Sequence, residues 1–126
     1  LSQNISMKKL VVTGLMIFVV LLGSVGLSES ADLQKGYATA LRELKPLAKQ
    51  GDADAQFNLG VMYENGRGVL QDYVRAHMWF NIAAISGESE NASSNRDIVA
   101  GKMNSNQIET AQKLARECVA KNYKGC

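Results

Sequence analysis

Proline, histidine and cysteine are nearly missing from this 126-residue sequence, which holds one, one and two of them. The lone histidine, His77, and the two cysteines, Cys118 and Cys126, leave almost no material for a Cys/His zinc site or a Cys-His nucleophilic pair, so neither a metal nor thiol catalysis is expected. Long runs of one charge are also lacking, and 14 Lys and Arg stand against 12 Asp and Glu. That balance leaves no nucleic-acid footprint, and the interspersed signs argue against a polybasic membrane patch or an acidic tail. The glycine-rich stretch Asn65-Gly66-Arg67-Gly68 is followed by no Gly-Lys-Ser/Thr, so a phosphate-cradling loop is disfavoured and no cofactor is expected. What is present is an ordinary globular composition, 46% hydrophobic and 21% charged, with length for one small domain. Many alanines and eleven glycines point to helices punctuated by glycine turns, because alanine is the best helix former and glycine serves helix C-caps. An all-α fold is expected.

The first thirty residues have the order of a secretory signal peptide: basic Lys8-Lys9 after Met7, then an apolar run through Leu22. Small Ser28 and Ser30 sit two apart, placing the cut after Ser30, and Met7 is the expected start. Residues 1–30 are therefore assigned to a signal peptide and 31–126 to the mature domain, with a periplasmic or secreted destination and no membrane contact after cleavage. Retention of residues 10–27 as a membrane anchor is the minor alternative. Lipid attachment is disfavoured, because Leu21-Leu22-Gly23 is followed by Ser24 and not by cysteine.

Along the mature chain, Tyr37, Leu41, Leu44 and Ala48 recur at helical spacing, predicting a helix from Tyr37 to Gln50 that ends at Gly51 and is perturbed by Pro46. Asp52 is placed to cap a second helix with the buried stripe Ala55, Leu59, Met62 and Tyr63, and Gly60 beside that stripe allows a neighbouring helix to come close. Asp72 caps a third, Tyr73 to Ser86, whose apolar face is Ala76, Trp79, Phe80 and Ala83. A weaker helix from Glu90 to Met103 and a stronger one from Ser105 to Asn122 follow. Asn104 with Gln107 makes a capping-box start for the latter, and Ile108, Ala111, Leu114, Ala115 and Cys118 supply its apolar face. His77 is expected at the surface, partly exposed.

The run Gly51-Asp52-Ala53-Asp54-Ala55-Gln56-Phe57-Asn58-Leu59-Gly60-Val61-Met62-Tyr63, then Gly66-Arg67-Gly68-Val69, Gln71-Asp72-Tyr73, Ala76, Trp79-Phe80, Ala83-Ala84 and Gly87, resembles one complete Sel1-like repeat. Leu70 departs from the family pattern, which usually has proline there. Residues 33–50 resemble part of a preceding repeat, and 88–126 resemble a degenerate terminal pair. The resemblance implies a short α-solenoid of antiparallel helix pairs related to tetratricopeptide repeats, whose first helices line a groove that binds peptides or proteins. Carried onto this sequence, the groove face is Asp54, Phe57, Asn58, Val61, Glu64 and Asn65. Cys118 and Cys126, with seven residues between them in an exported chain, resemble the stapled turns of cysteine-rich members, which implies a structural disulfide. The expected role is that of an exported, non-catalytic adaptor for a protein or peptide partner in the cell envelope, with self-association through its exposed ends. The open alternative is the β-lactamase-like or penicillin-binding activity described for cysteine-rich relatives. Residues 31–126 contain no Ser-x-x-Lys nucleophile motif and no zinc-ligand cluster to support it.

Overall fold

The computed structural model describes residues 29–87 and 90–126. The expected signal segment and the alternative anchor, residues 10–27, lie outside them, apart from Glu29 and Ser30. The described residues are all-α: α1 at 29–49, α2 at Ala53–Asn65, α3 at Tyr73–Ile85, α4 at Glu90–Ala100 and α5 at Ser105–Ala120. None of them is long and apolar enough to cross a membrane. Residues 29–35 fall in a separate unit from Gly36–Cys126. They are helical and exposed, so α1 begins earlier than its apolar periodicity marks. Residues such as Ala31, Leu33, Gln34 and Lys35 favour helix by intrinsic propensity, which leaves no mark in a burial pattern.

The turns follow from their residues. Gly51, at φ +90°, closes α1 with paired bonds: its N–H donates to the Ala48 carbonyl, and that of Asp52 to the Leu47 carbonyl, both at 3.1 Å. This six-to-one and five-to-two pattern needs a left-handed residue, which glycine adopts freely. Asp52 then accepts the Ala55 N–H at 2.9 Å and Asp72 accepts that of Arg75 at 3.0 Å, so both acids satisfy amides that the helix itself leaves unpaired. Asn104 and Gln107 exchange side-chain and backbone bonds at 2.9 and 3.0 Å, completing the capping box that starts α5.

Helix α3 is the hub of the Gly36–Cys126 unit, packing against α2, α4 and α5. This explains why its burial exceeds the expected stripe: His77, Met78 and Ile82 are buried beside Ala76, Trp79, Phe80 and Ala83. His77 corrects the surface expectation, since only 3% of it is exposed. A helix covered on several sides leaves little solvent face for a polar residue to mark, with Arg75 and Ile85 near its ends exposed. Leu114 is the opposite correction, with 36% exposure at a position read as core.

The seat of α3 on α2 is set by Gly60. A Cβ built there would lie 2.6 Å from Cδ1 and Cε1 of Phe80, a ring that is itself fully buried. Phe57 lies on the same ring, with centroids 5.5 Å apart. Gln56, also fully buried, joins three elements: its Nε2 donates to the Ala48 carbonyl at 3.0 Å, and its Oε1 accepts from the Ser86 hydroxyl at 3.0 Å. Both halves of a buried amide are thereby satisfied, as burial in a low-dielectric interior demands. Gly60→Ala is expected to lower the unfolding free energy by about 1–3 kcal/mol through overpacking, despite alanine's helix-propensity advantage of about 1 kcal/mol. Chemical denaturation checks this, and Phe80→Leu combined with Gly60→Ala is expected to cost less than the two separate losses together.

Candidate binding surfaces

The six groove-face residues expected from the sequence all fall on α2 or its last residue, but they do not form one uniform surface. Asp54 and Asn58, four residues apart and therefore on one helical face, are exposed. Phe57 and Val61 are partly buried and pack against the core, so only part of their apolar area is available to a ligand. Asn65 is exposed, with its amide donating back to the Val61 carbonyl at 2.9 Å. Glu64 is engaged: Lys102 Nζ lies 3.4 Å from its Oε1, and its backbone carbonyl accepts from Gln71 Nε2 at 2.8 Å. The surface therefore combines two open polar side chains with an apolar strip and a paired acid.

Lys102, in the turn after α4, was not marked by the sequence pattern. It reaches Glu64 while lying 5.5 Å from the Tyr73 ring centroid, so one cation links the end of α2, the start of α3 and the turn after α4. The loop between α2 and α3 is held by glycine. Leu70 is 90% exposed. Gly68, at φ +71°, comes so close to α1 that an added Cβ would lie 3.0 Å from the Tyr37 carbonyl oxygen. Arg67 lies 5.5 Å from the Tyr37 ring centroid, and the Asp72 N–H donates to the Tyr63 carbonyl at 2.9 Å. These contacts fix the loop that ends the face.

At the other end of the chain, Cys118 and Cys126 form a disulfide. The chain leaves α5 through Asn122 and Tyr123, at φ 54° and 63°, with Asn122 N–H donating to Val119 and Tyr123 N–H donating to Cys118 at 3.0 and 2.8 Å. This is the same terminating pattern as at Gly51, with asparagine in glycine's place. Tyr123 then meets the α1–α2 turn, where a Cβ on Gly51 would lie 3.3 Å from its ring.

His77 lies buried on α3. Its Nδ1 is buried and has no hydrogen-bond partner among the described residues. Its pKa is lowered from the usual 6.5, chiefly by burial and then by the Arg96 charge, while Asp97 opposes them. Arg96 is oriented by a 3.1 Å bond to Asn81 Oδ1 and a 3.1 Å contact with Asp97. Among the described residues no group of three His, Cys, Asp or Glu side chains could hold a metal ion.

These helix hairpins, with α3 buried between its neighbours, define a helical-repeat module of the short α-solenoid class. Residues 53–88 match the Sel1 repeat family model, a span that takes in α2 and α3 whole. A solved structure, that of a protective antigen present in uropathogenic Escherichia coli strains and displaying an SLR fold, superposes with a TM-score of 0.64 at 29% identity. The match covers 68% of this chain and 19% of that one, so this chain spans about a fifth of the longer protein. No curated protein matches the sequence. Residues 53–88 are thus similar to a Sel1 repeat, and 68% of this chain shares the fold of that structure.

The lowered pKa of His77 gives the fold a pH dependence with a definite sign. The unfolded chain takes up a proton near pH 6.5 that the folded chain resists, so stability is full above that pH and is lost as pH falls from it toward the folded pKa. The melting temperature is expected to drop between about pH 7.5 and 5.5, above the range where carboxylates titrate. His77→Phe is expected to flatten this part of the profile, as thermal melts across it would show.

Proposed function

We propose that this chain is an exported, non-catalytic module that binds a protein or peptide partner in the cell envelope through the solvent face of α2. The observation that carries this reading is the pair Asp54 and Asn58, exposed on one face. Neither side chain has a hydrogen bond or ion pair among the described residues. They stand beside the half-buried Phe57 and Val61. An extended ligand could bond its backbone to the amide and lay a side chain along the apolar strip. Export is supported by the signal-like order of the first thirty residues and by a disulfide of the kind that persists in oxidising compartments. A non-catalytic role is supported by the burial of the lone imidazole, His77, which is 3% exposed. Self-association belongs to the same reading, with Leu47 on α1 and Ile98 on α4 both exposed.

Cross-linked partner capture from envelope extract tests the face, comparing the native protein with an Asp54→Ala, Asn58→Ala double variant. Capture is expected to fall roughly tenfold, equivalent to about 1.4 kcal/mol, while stability stays within about 0.5 kcal/mol, as is usual for surface changes. Unchanged capture would remove α2 from the interface. Hydrolysis of a chromogenic cephalosporin that persists through purification would instead overturn the non-catalytic assignment.

A further inference from the structure

A second recess, separate from the solvent face of α2, opens where the end of α1, the start of α3, the end of α5 and the disulfide-closed tail converge. Its volume is ≈ 290 Å³, near the lower end of cavities that hold ligands. The floor is apolar, made by Leu59 and Tyr63 of α2 with Met78 and Trp79 of α3, and Leu114 forms a wall that is 36% exposed. The charged lining is one-sided: Lys45, Lys49, Arg75, Lys121 and Lys124 against the single acid Glu117. This lies in a chain whose charges nearly balance, 14 cations to 12 anions. Glu117 already has Lys113 at 3.9 Å, and Arg75 has Asp72 at 3.7 Å while lying 5.7 Å from the Tyr63 ring centroid. The four lysines have no acidic partner within 4 Å among the described residues.

Their placement is built into the backbone. Lys45 and Lys49 are four apart on α1 and share a face. Lys121 and Lys124 lie in the segment turned back by Asn122 and Tyr123, both at positive φ, and held by the Cys118–Cys126 bond. Two lysine pairs from separate segments thus rim one apolar floor.

We infer that this recess binds an acidic peptide segment of a partner protein, in which a large apolar side chain stands between carboxylates. The apolar side chain enters against Leu114, the most exposed residue of the apolar lining. The flanking carboxylates take the lysine pairs, where charge-assisted hydrogen bonds are available. Single-stranded nucleic acid fits poorly, because base stacking needs exposed aromatic faces, and Trp79 and Tyr63 are 3% and 8% exposed. An anionic bilayer fits poorly as well, because Arg75 lines a recess among four segments and not a flat polybasic face.

The test is fluorescence anisotropy of the oxidised full chain with a labelled peptide carrying leucine and phenylalanine between glutamate pairs. A glutamine-for-glutamate peptide and phosphatidylglycerol vesicles serve as comparison arms. Saturable binding in the micromolar range is expected, weakening with salt as exposed ion pairs do. Lys45→Glu with Lys49→Glu, and Lys121→Glu with Lys124→Glu, are each expected to weaken binding at least roughly tenfold. Reduction of the disulfide is expected to weaken it also, by releasing Lys121 and Lys124. Arg116→Glu, at an exposed position outside the recess, is expected to leave binding within about twofold. The inference is overturned by no binding at roughly millimolar peptide, by equal binding of the glutamine peptide, by equal loss in the Arg116 variant, or by binding to vesicles alone. None of these outcomes bears on Asp54 and Asn58, so failure here and failure of the α2 interface are separately visible.

Discussion

The close seat of Phe80 over Gly60 is the contact on which the rest of the structure depends. A hydrogen at position 60 lets the ring of a neighbouring helix lie where any side chain would collide, and the ring so placed is fully buried. Close packing converts this into a fixed separation between α2 and α3, because interiors lack the slack to absorb a methyl group. Gln56 fixes the pair further by bonding to the end of α1 on one side and the end of α3 on the other. A small repeat with few layers gains from such local over-determination, because each helix pair can bury its apolar face only against neighbours.

From that seat the two candidate surfaces follow. With α3 committed to the interior, the outward side of α2 is left to solvent, and Asp54 and Asn58 stand on it with no internal role. The other surface arises where α3 meets α5, because Cys118 is buried at the end of α5 and the tail must fold back to bring Cys126 to it. The fold-back carries two lysines toward two others on α1. A staple that stabilises a small fold by roughly 2–4 kcal/mol therefore also positions charge at this end of the repeat.

Much of the fold was legible in the sequence because its signals are local. Asp52, Asp72 and Asn104 cap helices through atoms three residues away, and glycines at 51 and 66 end them through their own torsion angles, so the reading needed no tertiary knowledge. The stripe Ala55, Leu59, Met62 and Tyr63 was legible because α2 buries one side only. The same logic failed on α3, where contacts with α2, α4 and α5 erase the periodic contrast that separates core from surface; His77 was placed outside for that reason. Leu114 failed in reverse, since an apolar residue beside a recess has the same helical spacing as one beneath a neighbouring helix. The α2 face could be listed from the repeat pattern, but the engagement of Glu64 by Lys102, 38 residues away, has no local signature. The basic recess was illegible altogether, because its lysines come together only through left-handed backbone at Asn122 and Tyr123, residue types that seldom adopt it in succession.

Native-state hydrogen exchange on the oxidised protein measures the central claim, that α3 is the rigid hub on which both surfaces are mounted, because exchange free energies rank segments by how much of the structure must open to release them. The α3 amides from Ala76 to Ala83 are predicted to exchange slowest, only through global unfolding, with residues 29–35 exchanging fastest. Exchange of the α3 amides as rapid as that of the exposed 29–35 segment, or faster than that of α5, would contradict it.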